Sequence, residues 1–194
     1  ILKKSKMKKI VIFASGSGTN AENIALHFSK GSLAEVACVF SNNENAKVLE
    51  RAKKHNIPYE VFSKEDFSGD KVLQKLKNIQ PDLIVLAGFL LKFPQNIIQS
   101  FPDKIINIHP ALLPKYGGKG MYGMNVHRAV IENNEEETGI TIHFVNENYD
   151  EGNIIFQKNV PLSTNETPES VAAKVHELEQ RFFPEIIEKL INQD

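Results

Sequence analysis

Short apolar runs alternate with longer amphipathic stretches over the first hundred residues of the chain. This alternation is typical of repeated βα units packed around a parallel sheet. The apolar runs predict strands at Ile10–Ala14, Glu35–Phe40, Tyr59–Phe62, Leu83–Leu86 and Lys104–Ile108. The stretches between them have apolar residues at helical spacing and predict helices at Asn20–Phe28, Ala46–His55, Asp70–Ile79 and Pro94–Ser100.

The pattern changes after Tyr116. A glycine-rich loop is followed by a predicted helix near Asn125–Glu132 and by strands around Gly139–Val145 and Ile154–Val160. The short separation of these two strands predicts a β-hairpin, which would extend the sheet with antiparallel strands.

A last helix is indicated by Thr167 and Pro168, which have the N-cap and first-turn signals of a helix start. We expect it to run toward Arg181 and to end before Pro184. The predicted fold class is therefore α/β: a Rossmann-like, mostly parallel sheet flanked by helices, with an antiparallel C-terminal extension.

The length of 194 residues fits one elaborated domain better than two. No repeat or linker interrupts the pattern, so we predict a single domain over residues 7–194. Residues 1–6 precede Met7 and are interpreted as a tag or start-site remnant, because they are too short in apolar length for a signal peptide.

Charge and cysteine usage narrow the classes of partner. The formal net charge is −1, with Lys and Arg scattered among Asp and Glu, so we expect no nucleic-acid partner. No apolar segment is long enough to predict a membrane partner. The single cysteine, Cys38, lies in an apolar run and is interpreted as a buried, inert thiol. A reducing, cytoplasmic location fits this pattern.

A glycine-rich turn, Ser15-Gly16-Ser17-Gly18-Thr19-Asn20-Ala21, connects the first predicted strand to the first helix. Backbone N–H groups and the helix dipole would face an anion there, which favours a phosphate ligand. The turn also satisfies the loose dinucleotide pattern, but the second strand ends in Phe40-Ser41-Asn42-Asn43, without the acidic residue that holds ribose hydroxyls. We therefore favour a phosphate monoester over a nicotinamide cofactor, with a ligand-free tight turn as the remaining interpretation.

Asn107 and His109 lie two residues apart where an apolar run ends. Alternate side chains of a strand share a face, so we expect both in a crevice at the carboxyl end of the sheet. A carboxamide beside an imidazole suits polarising a carbonyl and stabilising an oxyanion, and His109 can move a proton near neutral pH. The alternative is a histidine that is only hydrogen-bonded at a strand end.

Asp150 lies in a polar turn between two predicted strands, from which it can approach the same crevice. A carboxylate near His109 would raise the pKa of that histidine and favour the imidazolium. Ordinary hairpin-turn chemistry is the alternative interpretation of Asp150. We predict no metal site, because no ligand-type partner stands at metal spacing from the other histidines, His27, His55, His127, His143 and His176.

Four motifs follow one another in the chain: Ser15-Gly16-Ser17-Gly18-Thr19-Asn20, Leu86-Ala87-Gly88-Phe89, Asn107 to Tyr116, and Gly139 to Val145 leading to Asp150-Glu151-Gly152. In these motifs the chain resembles the phosphoribosylglycinamide formyltransferases of purine synthesis, in their single-domain, folate-dependent form. The resemblance runs from Met7 onward. It implies transfer of a formyl group from the co-substrate 10-formyltetrahydrofolate to the glycine amine of phosphoribosylglycinamide, without a metal.

The resemblance also implies residue roles. Asn107, His109 and Asp150 match the catalytic positions. The family positions that bind the substrate phosphate and ribose match Gly18, Thr19, Asn20 and Glu179. The folate-binding positions match Leu90, Leu91, Lys92, Phe93, Asn107 and Asn146.

Two departures from the family pattern concern the folate side and a loop. Lys64 stands near a position where better-known members have an arginine, and is a candidate substitute without the planar fork. The loop Gly117–Asn125 is longer than in common relatives and is interpreted either as a cap in which Lys119 and Met121 cover the substrate or as a surface insertion.

Rival functions remain open on the sequence alone. A formyltetrahydrofolate hydrolase or another amine formyltransferase would share the fold and the Asn, His and Asp set. A nicotinamide-dependent reductase would use the first loop and leave those three residues idle. The expected partners are the two small-molecule substrates, and the chain is expected to be a monomer or a homodimer.

Overall fold

The structure, a computed structural model, describes residues 6–29 and 33–193. The remnant expected at residues 1–6 therefore lies, apart from Lys6, outside the described residues. That residues 7–194 form a single domain stays a prediction.

One sheet of seven strands is present in the described residues, in the order β3-β2-β1-β4-β5-β6-β7. The strands are β1 Lys8–Phe13, β2 Ala34–Ser41, β3 Tyr59–Val61, β4 Leu83–Leu86, β5 Ile105–His109, β6 Glu137–Phe144 and β7 Ile154–Pro161. Strands β1 to β5 are parallel, whereas β6 pairs antiparallel with β5 and β7 pairs antiparallel with β6. The predicted fold class, including the antiparallel extension, is confirmed.

The strand order reverses direction beside β1, because β2 pairs with one of its edges and β4 with the other. In open α/β sheets, ligands bind outside the carboxyl ends of the strands at such a point. The loops that follow β1 and β4 therefore form the expected place for a ligand.

Both faces of the sheet are covered, so β1 alternates its buried side chains between two cores. Ile10 and Ile12 face one core, and Val11 and Phe13 face the other, where an aromatic cluster surrounds the Phe13 ring. The helices are α1 Thr19–Phe28, α2 Lys47–Lys54, α3 Lys64–Ser68, α4 Lys71–Ile79, α5 Gln95–Ser100, α6 Met124–Glu132 and α7 Pro168–Ile191.

Helix α3 was not among the predicted elements. Its signal is a capping box, in which the Ser63 side chain accepts from the backbone N–H of Asp66 and the Asp66 side chain accepts from the backbone N–H of Ser63. This Ser-x-x-Asp spacing is a helix-start signature that can be found in a sequence.

The predicted end of the last helix before Pro184 is wrong. Helix α7 continues through Pro184 to Ile191, and its last turns place Ile186, Ile187 and Ile191 in the core. Proline has no N–H for the carbonyl four residues earlier, which here belongs to Gln180. The Asn23 side chain of α1 donates to that Gln180 carbonyl at 2.7 Å, so a neighbouring helix supplies the missing donor.

Candidate active site

A cavity of about 770 Å³ opens at the carboxyl ends of β1, β4 and β5. Its wall consists of residues 16–20 after β1, residues 86–93 at and after β4, residues 107–110 of β5 and its end, loop residues 118–123, residues of the turn before Asp150, and one side of α7. The cavity therefore brings together the glycine-rich turn and the residues Asn107, His109 and Asp150.

His109 is 4% exposed and lies between two oxygen acceptors. Its Nε2 is 2.7 Å from the backbone carbonyl oxygen of Tyr116, and its Nδ1 is 3.5 Å from Oδ2 of Asp150. Because a carbonyl oxygen only accepts, Nε2 must donate and therefore carries a proton. Nδ1 is then the nitrogen that can take up or release a proton beside Asp150.

The pKa of His109 is lowered, contrary to the prediction that Asp150 would raise it. Burial is the largest cause, because it penalises the imidazolium, while the Asp150 charge and the Tyr116 carbonyl act in the opposite direction and are outweighed. The resting imidazole is therefore neutral near pH 7, with its proton on Nε2.

Asn107 is held by a second histidine, His143, for which the sequence predicts no role. His143 Nδ1 lies 2.8 Å from the carbonyl oxygen of Phe144, so Nδ1 carries the proton and Nε2 is an acceptor. The Asn107 amide donates one N–H to this Nε2 at 3.2 Å and approaches Oδ1 of Asp150 at 3.5 Å with the other. The second N–H is only loosely engaged and remains available to a ligand oxygen. The feature that identifies His143 as a neighbour of Asn107 is the antiparallel register of β5 and β6, in which the two residues lie opposite each other.

Asp150 is held in a left-handed conformation, with φ of 56°. Its Oδ2 accepts from the backbone N–H of Gly118 at 2.9 Å, and its Oδ1 lies 3.6 Å from His143 Nε2. Burial alone would raise the pKa of Asp150, but contacts that favour the carboxylate, the Gly118 N–H among them, outweigh it and hold that pKa below its ordinary value. Asp150 is therefore a largely buried, ionised carboxylate.

The glycine-rich turn has a backbone that leaves room only for glycine at Gly18. Its φ is 74°, and an added Cβ would lie 2.5 Å from Cβ of Val48. Thr19 and Asn20 form the first turn of α1, where backbone N–H groups have no acceptor within the helix. Asn20 donates to Glu179 at 3.0 Å, so the turn and α7 are joined across the cavity.

The residues expected on the folate side divide between two depressions. Leu90, Leu91, Lys92, Phe93 and Asn146 all line the main cavity. Lys64 does not line it, but lies in an adjacent depression of about 660 Å³ that shares Leu91, Lys92 and Phe93 with the main cavity.

His127 of α6 is a cavity residue for which the sequence predicts no role. It is 6% exposed, and its Nδ1 is buried without a hydrogen-bond partner among the described residues. Burial lowers its pKa, so the imidazole is neutral. The helical pattern around it gives no signal that distinguishes it from a core residue.

A family model described as formyl transferase matches residues 8–187 of the chain. The chain belongs to the formyl transferase family. This finding and the relatives below confirm the resemblance drawn from the four motifs.

Curated relatives carry a more specific name. The chain is 40% identical to the phosphoribosylglycinamide formyltransferase of Haemophilus influenzae, over 93% of this chain and 86% of the relative. It is 39% identical to the chloroplastic phosphoribosylglycinamide formyltransferase of Arabidopsis thaliana, over 94% of this chain. The chain spans 65% of that protein and 62% of the Vigna unguiculata relative of the same name.

Solved structures agree with these relatives. The phosphoribosylglycinamide formyltransferase of Bacillus halodurans matches with a TM-score of 0.87 at 35% identity, over 96% of both chains. The enzyme of that name from Anaplasma phagocytophilum matches with a TM-score of 0.89 at 31% identity, over 97% of this chain and 88% of that one.

None of the helices in the described part of the chain is long and apolar enough to cross a membrane.

Proposed function

We propose that this chain transfers the formyl group of 10-formyltetrahydrofolate to the glycine amine of phosphoribosylglycinamide. The observation that carries the proposal is one cavity that joins a phosphate-type turn, Gly18–Asn20, to the buried His109 and the partly buried Asn107 and Asp150. The names of relatives at 32–40% identity contain the acceptor, phosphoribosylglycinamide, and the transferred formyl group. The folate donor is part of the proposal and comes from the family resemblance.

The phosphate of the acceptor substrate would bind at the turn. The backbone N–H groups of Gly18, Thr19 and Asn20, with the positive end of the α1 dipole, suit a phosphate monoester. Glu179 would accept from the ribose hydroxyls, and its contact with Asn20 keeps its carboxylate beside the turn.

The folate would lie along the other arm of the cavity. Leu90 is half exposed and Leu91 is partly buried, so both offer apolar surface to a flat ring. Lys92 and Asn146 add a cation and an amide to the same wall. Lys64, in the adjacent depression, would meet an anionic tail that extends past Leu91 rather than the ring system.

For direct attack of the amine on the formyl carbon, the chain must supply a proton acceptor, a negative charge beside that acceptor, and groups that stabilise the oxyanion. The neutral His109 accepts a proton from the incoming ammonium at Nδ1, which leaves an uncharged amine as the nucleophile. Asp150, 3.5 Å from that nitrogen, stabilises the imidazolium formed. The imidazolium and the loosely held Asn107 N–H then stabilise the negative charge that develops on the formyl oxygen.

Collapse of the adduct breaks the bond between the formyl carbon and the folate nitrogen. The proton on the attacking nitrogen moves to that leaving nitrogen, through a water that Asp150 holds. The products are the formylated amine and tetrahydrofolate, and His109 returns to its neutral form by releasing to solvent the proton that it took from the ammonium. No bond to the enzyme forms at any step.

The rival functions fit the cavity less well. A hydrolase has no use for the turn at Gly18. A nicotinamide reductase needs an acidic residue after β2, whereas Asn42 stands there and accepts from the Ser15 hydroxyl at 2.7 Å. A reducing cytoplasmic location and a monomeric or homodimeric state stay predictions.

The test is acceptor-dependent deformylation of 10-formyltetrahydrofolate, followed by folate absorbance. We expect turnover only with phosphoribosylglycinamide, and a loss on the order of a hundred- to a thousand-fold in His109→Ala. Deformylation at the same rate without acceptor would support the hydrolase, and binding of NAD or NADP without deformylation would support the reductase.

A further inference from the structure

The segment Tyr116–Gly118 contacts both members of the His109 and Asp150 pair, and does so through its main chain. The carbonyl oxygen of Tyr116 accepts from His109 Nε2 at 2.7 Å, and the N–H of Gly118 donates to Asp150 Oδ2 at 2.9 Å. One short stretch of backbone therefore sets which nitrogen of His109 faces Asp150 and how far apart the two side chains lie.

This backbone is strained at Tyr116 and crowded at Gly117. Tyr116 has φ of 57°, in the left-handed region that side-chain-bearing residues rarely adopt. A Cβ on Gly117 would lie 2.6 Å from Cδ2 of Leu113 and 3.3 Å from Cβ of Asp150. Such a conformation persists only where surrounding contacts hold it.

The contact that holds Tyr116 lies outside the cavity. Its phenol donates to Oε1 of Glu135 at 2.8 Å, in the turn after α6. Burial and the Glu135 contact raise the pKa of Tyr116 to about 12, so the phenol is a donor throughout the working range. Lys115 pairs with the same carboxylate at 2.9 and 3.0 Å, but points to solvent.

We propose that Tyr116 and Glu135 are positioning residues for His109. The phenol bond to Glu135 keeps Tyr116 in its left-handed conformation, and the Tyr116 carbonyl then fixes the proton of neutral His109 on Nε2. Without that bond, Tyr116 relaxes, its carbonyl moves away from the imidazole, and the proton of His109 is shared between both nitrogens. In molecules with the proton on Nδ1 the free nitrogen is Nε2, which faces Tyr116, so Nδ1 beside Asp150 cannot accept the proton of the incoming ammonium. This inference rests on the proposed formyl transfer only for its kinetic consequence.

The test compares Tyr116→Phe, Glu135→Leu and Glu135→Gln, with Lys115→Gln as the matched control. Phe and Leu remove the bond from either side, Gln keeps an acceptor for the phenol, and the control removes only the ion pair. The first readout is the ¹⁵N spectrum of the His109 imidazole, which reports the protonated nitrogen directly and needs no activity.

We expect Nε2 to carry the proton in the wild type, Glu135→Gln and Lys115→Gln, and a mixture of tautomers in Tyr116→Phe and Glu135→Leu. The same two variants should lose about ten- to a hundred-fold in kcat, with both KM values within about two-fold of wild type. The double variant Tyr116→Phe/Glu135→Leu should lose no more than either single variant.

Two results would overturn the proposal. One is an unchanged His109 spectrum in Tyr116→Phe and Glu135→Leu. The other is a parallel loss of kcat in all four variants, including Lys115→Gln, which would indicate a general loosening of the loop. If Tyr116→Phe fails to fold, the Glu135→Leu and Glu135→Gln pair decides alone, since Glu135 lies near the surface. A changed spectrum in an enzyme that does not transfer formyl groups would refute the proposed function and leave this inference standing.

Discussion

His109 has a carboxylate beside it and is nonetheless neutral. The imidazolium loses more solvation on burial than the charge of Asp150 at 3.5 Å returns, so its pKa falls. In the proposed reaction the neutral imidazole accepts a proton from the substrate, and the imidazolium formed then stabilises the oxyanion. The ionised Asp150 makes that second state accessible.

In the proposed reaction the charge of Asp150 is therefore central to turnover. We expect Asp150→Asn to lower kcat on the order of a hundred- to a thousand-fold, since it removes the charge that stabilises the imidazolium but keeps the volume of the side chain. Steady-state kinetics with both substrates will measure this. Asp103→Asn is the matched control, because Asp103 has a similar φ of 57° and is exposed. Equal losses in both variants would contradict the role given to Asp150.

A substitution at Gly18 tests the proposed phosphate binding separately from the formyl-transfer step. We expect Gly18→Ala to raise the KM for phosphoribosylglycinamide by about ten-fold or more, because the φ of 74° and the contact with Val48 force the turn to move by a large fraction of an ångström. The KM for the folate should change much less. Initial-rate measurements that vary each substrate in turn will show this, and an equal rise in both KM values would refute the assignment.

Helix α7 continues through a proline because another helix satisfies the carbonyl that the proline leaves free. The Asn23 amide of α1 replaces the missing backbone donor at Gln180, and the apolar residues beyond Pro184 bury themselves in the core. The contact also fixes α7 against α1 near Glu179, and so holds this wall of the cavity in position.

Removing this donor should cost stability. We expect Asn23→Ala to lower the free energy of unfolding by about 1–3 kcal/mol, because a partly buried carbonyl is left unsatisfied. In Asn23→Ala/Pro184→Ala, the new backbone N–H can bond Gln180, so the double variant should recover part of the loss relative to the sum of the single variants. Urea unfolding of the four proteins measures the cycle, and strict additivity would contradict the proposed exchange of donors.

The pattern of apolar and polar residues was sufficient for the sheet and most helices, since these follow from period and turn chemistry. It failed at Pro184, because the donor that rescues the helix comes from Asn23, 161 positions earlier in the chain. Helix α3 is a different kind of failure: its capping box at Ser63 was readable, but only five helical residues follow it.

The candidate site likewise has features that follow from the sequence pattern and others that depend on how distant segments pack. That Asn107 and His109 share a strand face follows from alternation, and the structure places Asp150 beside them. The roles of these residues stay a proposal. Nothing local in the sequence gives the depth at which His109 is buried, which decides the sign of its pKa shift. The position of Lys64 outside the main cavity likewise depends on how α3 packs.

The whole molecule should lose stability on mild acidification. His109 and His127 have lowered pKa values in the fold, so the unfolded chain binds more protons below its ordinary histidine pKa of about 6.5. Each contributes at most about 1.4 kcal/mol per pH unit below that point. The pKa of His176 is raised in the fold, so protonated His176 stabilises the fold below a pH of about 6.5. This contribution to the free energy of unfolding is lost above that pH, as the pH rises through the folded pKa.

Urea unfolding between pH 7 and 5 will measure this slope. We expect His127→Phe to flatten it, because one buried neutral imidazole is removed. Glu22 and Glu166 act at lower pH, since hydrogen bonds and nearby cations lower the pKa of each to about 2 and their contribution is lost only below the ordinary value of 4.5. A variant with the same slope as wild type would show that the fold does not lower the pKa of His127.

The identity of the formyl acceptor is the central claim, and isotope transfer tests it most directly. The enzyme is mixed with 10-formyltetrahydrofolate that carries ¹³C in the formyl group and with phosphoribosylglycinamide, and the products are followed by NMR. We predict that the label moves into the formamide of the acceptor at the rate at which the folate is deformylated. Label that accumulates as free formate, or stays on the folate, would contradict the proposed function.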